Sequence, residues 1–445
     1  MKKMIVGGIT TLALLTGIVS NIGGTGNLIE TTHAQLRSDL QTTNVVTPLN
    51  AEITANSNSQ NVQSTRSQSD QSFRDIVGHW AEKSINGALT RGYVDGYPNG
   101  TFLPNNNVSR AEFVKMLVSA LDLEVSSNAS ASWYTPYVNA AQAEAIYQSG
   151  DFKDSNWTKA ISREEMSKVA VRAIGVSDVE KTQWMYMATK NGLISGTSPG
   201  VIAPEGSTTR AQAITVIERV LSVKQGTKLP VDKYAVSAAE LLWHDTNIMT
   251  MLPRYFSDSF NGKPFDNKAM VSTSPNGKAV CRITKLVAID LGDPKDPNRK
   301  IIEDTEYAWA DNNRYYKLLD SDGYAVMGIS ETKISGKMNV KELFPCRMTF
   351  QNDDWYEIQK NATSPKQPNR SYGIMPWNPK YEQFHSSLDI SEISNGTLTF
   401  ATGTLFPKTN FISDKPFRYM FGGMGNWQGT FVTLYQGKLN PEYHQ

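Results

Sequence analysis

A short motif occurs three times in this chain of 445 residues, and an amphipathic helical pattern follows each copy. A Ser or Thr precedes Arg and stands three positions before Glu or Gln; the copies begin at Ser109, Ser162 and Thr209. Apolar residues then recur at the same five offsets: Phe113, Met116, Leu117, Ala120 and Leu121; Met166, Val169, Ala170, Ala173 and Ile174; Ala213, Val216, Ile217, Val220 and Leu221. This spacing predicts one buried helix face. Because the motif arginines are 53 and 47 positions apart, the chain contains a tandem repeat of about 50 residues.

The hydroxyl residue and the Glu or Gln of each copy have the pattern of a capping box. The hydroxyl accepts from the third helical amide, whose side chain bonds back, and each cap contributes about 0.5–2 kcal/mol. Capping does not explain the Arg, because a cation at the first helical position opposes the macrodipole at a cost of about 0.3–1 kcal/mol. We therefore expect the arginines to bind an anion such as a carboxylate or phosphate. The alternative is a structural ion pair with a neighbouring repeat.

The first copy carries further landmarks upstream of its motif. They are Phe73-Arg74-Asp75, Trp80-Ala81, Gly92-Tyr93-Val94-Asp95-Gly96, Pro104 and Ser109-Arg110-Ala111-Glu112. This series closely resembles the S-layer homology (SLH) domain. The second copy keeps Trp133 but lacks the glycine turn, whereas the third copy keeps Gly192 and Gly196 and has Glu180 at the place of Trp80.

The resemblance implies a fold and a ligand. SLH repeats come in threes and fold into a mostly α-helical pseudo-threefold spindle. They bind secondary cell-wall polymers, typically glycans ending in pyruvylated N-acetylmannosamine, in grooves between repeats. The resemblance gives the candidate polymer-binding residues as Arg110, Arg163, Arg210, Trp80, Trp133 and Asp75. Because the third copy lacks the upstream tryptophan, we expect Arg210 to contribute least.

The N-terminus is typical of an exported protein. Lys2 and Lys3 precede an apolar run over 4–19, and Thr32-His33-Ala34 offers a cleavage site, so residues 1–34 are predicted to be a signal peptide. Residues 35–72 are predicted to be a flexible polar leader. We predict no membrane span in the mature chain. With 44 basic and 43 acidic residues, the chain has no charge excess that would favour a nucleic-acid partner.

The remaining boundaries follow from changes of pattern. We predict repeats over 73–125, 126–176 and 177–223, a linker over 224–232 and a β-rich domain over 233–445. The β prediction rests on short β-branched runs near Asn276-Gly277, Asp322-Gly323 and Asn395-Gly396, which are hairpin signals. Only 235–251 has a helical pattern there. The expected fold is therefore multidomain: a helical spindle followed by a predominantly β domain, either a sandwich or a barrel.

The C-terminal half carries no persuasive catalytic pattern. His244-Asp245, Asp353-Asp354-Trp355 and Asp320-Ser321-Asp322-Gly323 are better explained as helix-end, loop and turn residues. We therefore predict no catalytic residues, no metal site and no cofactor. Trp309, Trp355, Trp377 and Trp427 fit core positions better than sugar platforms. For Cys281 and Cys346, a disulfide and two separate buried thiols both remain open.

Two functions are compatible with this sequence. In the first, the repeats anchor an exported, non-enzymatic protein at the cell wall, and the β half displays a surface for interaction with other surface proteins or for a lattice. In the second, the β half is an enzyme that acts on polysaccharide and is held by the same anchor. Carboxylates about 5–10 Å apart in an aromatic cleft would favour the enzyme.

Overall fold

The computed structural model describes residues 73–126, 132–256, 270–274, 277–303, 307–311, 314–338, 347–352, 371–378, 383–384, 393–408, 417–422, 432–437 and 440. The predicted signal peptide and polar leader, together with Asn276, Cys346, Asp353-Asp354-Trp355 and Trp427, lie outside them, as does the side chain of Trp377. In the described part of the chain, no helix is long and apolar enough to cross a membrane.

The described residues form a helical region followed by a strand-rich region. The helices are α1 Glu82–Arg91, α2 Arg110–Ala120, α3 Thr135–Ala143, α4 Arg163–Ala173, α5 Trp184–Lys190, α6 Arg210–Lys224, α7 Lys233–His244, α8 Ile248–Met251 and α9 Lys300–Glu303. The strands are β1 Val271–Thr273, β2 Ala279–Asp290, β3 Tyr307–Asp311, β4 Arg314–Lys317, β5 Gly323–Met338, β6 Arg347–Asn352, β7 Tyr372–Asn378, β8 Gln383–Phe384, β9 Ile393–Pro407, β10 Phe417–Gly422 and β11 Val432–Gly437.

The helices α2, α4 and α6 begin at the three motif arginines. Ser109, Ser162 and Thr209 are their N-caps, and all three capping boxes are complete, with both reciprocal hydrogen bonds present. Most of the apolar positions predicted from the repeat are fully buried, and the others are half-buried. The predicted helix starts and buried faces are therefore confirmed.

The segments that precede these helices close a ring of backbone hydrogen bonds. The amide of Val108 donates to the carbonyl of Thr208, Thr208 donates to Ile161, and Ile161 donates to Val108, each at 3.0 Å. Around this ring α1 packs on α6, α3 on α2 and α5 on α4, and one apolar cluster runs through all three copies. The three copies thus share a single core.

The strand-rich region contains two antiparallel sheets. The larger has eight strands in the order β1-β2-β5-β9-β7-β3-β4, with β8 on β7, and the smaller has the order β11-β10-β6. Residues of β2 alternate between the cores on its two faces: Leu286 belongs to the same apolar cluster as Tyr419 of the smaller sheet, whereas Ile289 belongs to the same cluster as Trp309 of β3. Because β3 is four strands from β2 in the order, the large sheet must curl to bring both strands into one core.

Two local expectations in this half are wrong. Asn395-Gly396 is not a hairpin turn, since β9 runs through it; Asn395 has a φ of 48° and accepts from Gly336 N at 2.7 Å beside an irregularity in register. The helix predicted over 235–251 is interrupted, because Asp245 ends α7 with a φ of 62°. The following residue, Thr246, bridges to Leu286 of β2 before α8 begins.

Helix α7 packs on both regions. Its Val236 and Ala239 belong to the core of the repeats, and its Trp243 stacks on Tyr186 of α5 at 5.1 Å. Its N-terminal turn contacts the strand-rich region, where Tyr234 donates to Asp293. The segment before α7 also lies against the third copy, since Gly196 N donates to Asp232 at 3.1 Å. The two regions are therefore joined through a shared helix.

The cysteine question has a partial answer. Cys281, on β2, is fully buried and disulfide-bonded, so the alternative of two separate thiols does not hold for it. The other cysteine of the chain, Cys346, lies outside the described residues.

Candidate functional site

Each motif arginine projects from its own helix into the next copy. The amide of Arg110 donates to Lys159 O of the second copy, that of Arg163 to Gly206 O of the third, and that of Arg210 to Asn106 O of the first. We call these three places the first, second and third joints, after Arg110, Arg163 and Arg210 respectively. The side chains differ at the three joints, although the backbone contacts are equivalent.

At the first joint, Arg110 is enclosed by carboxylates of the second copy. Only 1% of its side chain is exposed. Its Nε and Nη2 donate to the two oxygens of Glu165 at 3.1 and 2.5 Å, and its Nη1 donates to Asp154 Oδ1 at 2.5 Å. The same Nη1 also bonds the carbonyls of Asp154 and Asn156. The guanidinium therefore has an acceptor at every nitrogen.

The charges at the first joint stabilise one another. Burial alone would lower the pKa of Arg110, but the hydrogen bonds that it donates to Glu165 and Asp154 outweigh this effect and raise that pKa. Burial alone would raise the pKa of Glu165, but Arg110 and the amides of Ser162 and Lys153 lower it. The pKa of Asp154 is also lowered, chiefly by Arg110. The alternative of a structural ion pair thus describes the geometry of Arg110.

At the third joint, Arg210 lies among aromatic rings of the first copy. Its guanidinium is 4.4 Å from the ring centre of Phe102 and 5.5 Å from that of Tyr97, distances that allow cation–π attraction. Its Nη2 donates to Asp95 O at 2.6 Å, and its buried Nε has no hydrogen-bond partner. Burial lowers the pKa of Arg210, against opposing effects of Tyr97, Glu112 and Asp95.

At the second joint, two arginines converge on one loop of the third copy. Arg163 is 6% exposed and donates from Nε to Ile202 O at 2.9 Å and from Nη2 to Ser195 O at 2.7 Å. Arg219 of α6 donates to Leu193 O at 3.1 Å. Burial and the charge of Arg219 lower the pKa of Arg163, and burial lowers that of Arg219.

The three joints therefore differ in whether a carboxylate neutralises the charge of the arginine. In the described part of the chain, no carboxylate forms an ion pair with Arg163, Arg210 or Arg219. Carbonyl oxygens orient these guanidinium groups but leave their net charge unneutralised. A buried cation without a counter-ion favours an anionic ligand.

The other candidate residues lie beside the first and third joints. Asp75 accepts from the amides of Phe102 and Leu103 at 2.8–3.0 Å, so it holds the loop on which Arg210 rests. Burial alone would raise the pKa of Asp75, but these two amides lower it. Trp80 is 64% exposed, and its ring centre lies 5.4 Å from that of His79. The His79 ring in turn donates to Asn105 Oδ1.

Trp133 occupies the corresponding place near the first joint. It is 55% exposed, and its ring centre lies 5.6 Å from that of Tyr134, which stacks on Trp157. The carbonyl of Trp157 accepts from Ala111 N, next to Arg110. Exposed tryptophans thus accompany the first and third joints, and sugar stacking is open to both of them.

The missing tryptophan of the third copy concerns a different joint from the one we expected. Arg210 rests on the first copy, which has Trp80, whereas Glu180 belongs to the copy that receives Arg163. Glu180 accepts from Trp243 of α7 at 3.0 Å, so a tryptophan from beyond the repeats lies there instead. The absence of a tryptophan therefore gives no reason to rank Arg210 last.

His244 and Asp245 lie at the end of α7, as predicted for helix-end residues. His244 stacks on Trp243 at 4.0 Å and bonds Glu240 O, while Asp245 ends the helix. Trp309 is fully buried, as predicted for a core residue. Among the described residues, no cluster of His, Cys, Asp and Glu could hold a metal ion.

Two residues of the joints, Asp154 and Arg219, could not be recognised from the motif. Asp154 reaches Arg110 from a loop 44 residues away, and no local pattern marks it. Arg219 stands nine positions after Arg210, where the second copy has Arg172. A comparison of the copies at that offset would have found it, although Arg172 itself pairs with Asp151.

Known proteins share this helical region. The sequence profile of the S-layer homology domain matches residues 72–114 and 177–214, which include Arg110 and Arg210. The chain therefore contains S-layer homology sequence on either side of the second copy.

Three relatives illustrate the range of proteins that match. An amylopullulanase of Thermoanaerobacterium thermosulfurigenes is 32% identical over 34% of this chain and 10% of its own length. Exoglucanase XynX of Acetivibrio thermocellus is 31% identical over 34% of this chain and 16% of its own. S-layer protein EA1 of Bacillus anthracis is 31% identical over 24% of this chain and 13% of its own. The chain thus spans between a tenth and a sixth of these relatives' length.

Proposed function

We propose that this chain is an exported bacterial cell-surface protein that is held non-covalently to the cell wall by residues 73–223. In this proposal the three copies form a pseudo-threefold SLH spindle, with the second copy as a full repeat. The observation that carries it is the closed ring of copies with a motif arginine at each joint, which supports the likeness to S-layer homology sequence. The S-layer protein among the relatives supports a location at the cell surface.

The proposed ligand is an acidic secondary wall polymer, with pyruvylated N-acetylmannosamine as its terminal sugar. A ketal-linked pyruvate presents one carboxylate, which suits the planar guanidinium donors of the joints. The exposed rings of Trp80 and Trp133 offer apolar faces for the sugar. The guanidinium groups at the second and third joints, which form no ion pair with a described carboxylate, supply the positive charge that attracts the carboxylate of the ligand.

Residues 233–445 are proposed to be displayed on this anchor as a β sandwich that contacts other surface proteins. The second sheet supports this, since its residues pack on one face of the large sheet. The amylopullulanase and the exoglucanase each match only a third of this chain. The non-enzymatic function therefore remains the main proposal, and a surface-anchored enzyme that acts on polysaccharide remains the alternative.

The anchoring is tested by co-sedimentation. The chain from residue 35 onward should pellet with sacculi that carry their secondary polymer and should stay in solution with sacculi stripped by hydrofluoric acid. Sacculi whose polymer has lost its pyruvate by mild acid should bind much less. Equal binding to stripped and intact sacculi would contradict the proposal.

A further inference from the structure

The three joints offer an incoming carboxylate different electrostatic environments. The first joint is already filled, because the carboxylates of Glu165 and Asp154 bond Arg110 from two sides. A ligand carboxylate there would have to displace a buried partner and meet two negative charges. Displacement would break charge-assisted bonds that are among the strongest in proteins.

The second joint has the opposite character. Arg163 and Arg219 both donate to carbonyls of one loop, at Ile202 and Ser195 for the first and at Leu193 for the second. No described carboxylate forms an ion pair with Arg163, and burial together with the charge of Arg219 lowers the pKa of Arg163. Two like charges in a partly buried site repel each other until an anion binds.

The capping residues reinforce this difference. Glu165 caps α4 and also pairs with Arg110 from the preceding copy. The equivalent residue on α6, in the copy that receives Arg163, is Gln212, which caps equally well but carries no charge. The equivalent residue near the third joint is Glu112, whose charge acts on Arg210. The second joint therefore has no acidic residue at a place where both of the others have one.

We infer that Arg163 and Arg219 form the principal carboxylate-binding site of the repeats, and that Arg110 has a structural role. Arg219 is a binding residue of this site that the repeat motif does not contain. The inference rests on the proposed anchoring function and specifies where the acidic sugar binds. The third joint is the secondary site, because Arg210 donates to Asp95 O and the copy that receives it carries Glu112 where the copy at the second joint carries the uncharged Gln212.

Calorimetric titration of the chain from residue 35 onward tests this, with pyruvylated N-acetylmannosamine as a monovalent probe. Arg219→Gln should weaken binding about 10-fold and Arg163→Gln about 10- to 100-fold, since each removes a charged partner of the carboxylate. The matched control is Arg91→Gln, because Arg91 is half exposed and already pairs with Glu218, the neighbour of Arg219. It should leave the affinity unchanged.

A second variant protects the test against misfolding. Gln212→Glu keeps a capping box of the kind seen at Glu165 and adds a carboxylate to the copy that receives Arg163. It should fold normally by far-ultraviolet circular dichroism and weaken probe binding about 10-fold. A merely structural role of Arg163 would leave the affinity of this variant unchanged.

The outcomes separate the inference from the proposed function. Unchanged affinity in both Arg219→Gln and Gln212→Glu would overturn the inference, and so would loss of binding in Arg210→Gln alone. In either case the intact protein would still pellet with polymer-bearing sacculi, so anchoring would stand. Failure of the unaltered chain to distinguish intact from stripped sacculi would instead overturn the proposed function.

Discussion

Arg110→Met should destabilise the helical region strongly, although its helix keeps its cap. The substitution retains an apolar stem but removes every bond to Glu165, whose side chain is only 3% exposed. Breaking a buried ion pair by removing one partner costs about 3–5 kcal/mol, because the other charge stays buried. For a region of this size the loss corresponds to a fall in Tm of about 6–20 °C.

The assay is urea denaturation followed at 222 nm, combined with a double-mutant cycle. Glu165→Gln preserves the capping pattern that Gln212 already uses, so it removes the charge and little else. The cycle of Arg110→Met with Glu165→Gln should give a coupling energy of about 1.5–3 kcal/mol. Arg91→Gln is the control, since it breaks a pair whose arginine is half exposed and should cost less than about 1 kcal/mol.

The reasoning would be refuted by a cost below about 1 kcal/mol for Arg110→Met, or by zero coupling with Glu165. It replaces the expectation from the macrodipole, under which removal of any motif arginine would leave the stability unchanged or slightly raised. That expectation treats the helix in isolation. The structure places the arginine side chain in a second copy. There the free energy lost by breaking its buried ion pair exceeds the free energy gained by removing a cation from the helix N-terminus.

Ser109→Ala should lower the free energy of unfolding by about 1 kcal/mol in urea denaturation, since the hydroxyl accepts from Glu112 N; no loss would mean that the cap is dispensable. Stability should fall as the pH drops below the ordinary glutamate pKa of 4.5, because Glu165 has a lower pKa when folded, and Glu165→Gln should reduce this fall; an identical acid profile would contradict it. Residues 230–445 alone should give a β-rich circular dichroism spectrum but bind more hydrophobic dye than the full chain, because Val236 and Ala239 lose their cover; equal dye binding would contradict this.

The features that the sequence predicted well are local. A capping box joins residues three apart, and a buried helix face repeats within two turns, so the starts of α2, α4 and α6 could be placed to the residue. The β-branched run after Asn276-Gly277 was equally clear, and it forms β2. Such signals need no knowledge of the rest of the fold.

The features that the sequence did not predict depend on distant partners. Asn395-Gly396 is a hairpin signal in isolation, but pairing with β5 carries β9 straight through it. Asp245 carries no strong helix-stop signal, yet the bridge from Thr246 to Leu286 draws the chain out of the helix there. In both cases a neighbouring strand decided the local conformation, as tertiary contacts commonly do.

In the candidate site, too, the local features were predictable and the contacts with distant residues were not. The arginines could be located from the motif, but their environments are set by the copy that each one enters. Glu165 and Gln212 are equivalent in capping, and from the sequence the exchange of one for the other carries no meaning. In the assembled ring, that residue lies in the copy that receives the preceding arginine: Glu165 pairs with Arg110, Gln212 brings no charge to Arg163, and Glu112 forms no ion pair with Arg210. A repeat can therefore keep its fold while one joint becomes structural and the next stays open to an acidic ligand.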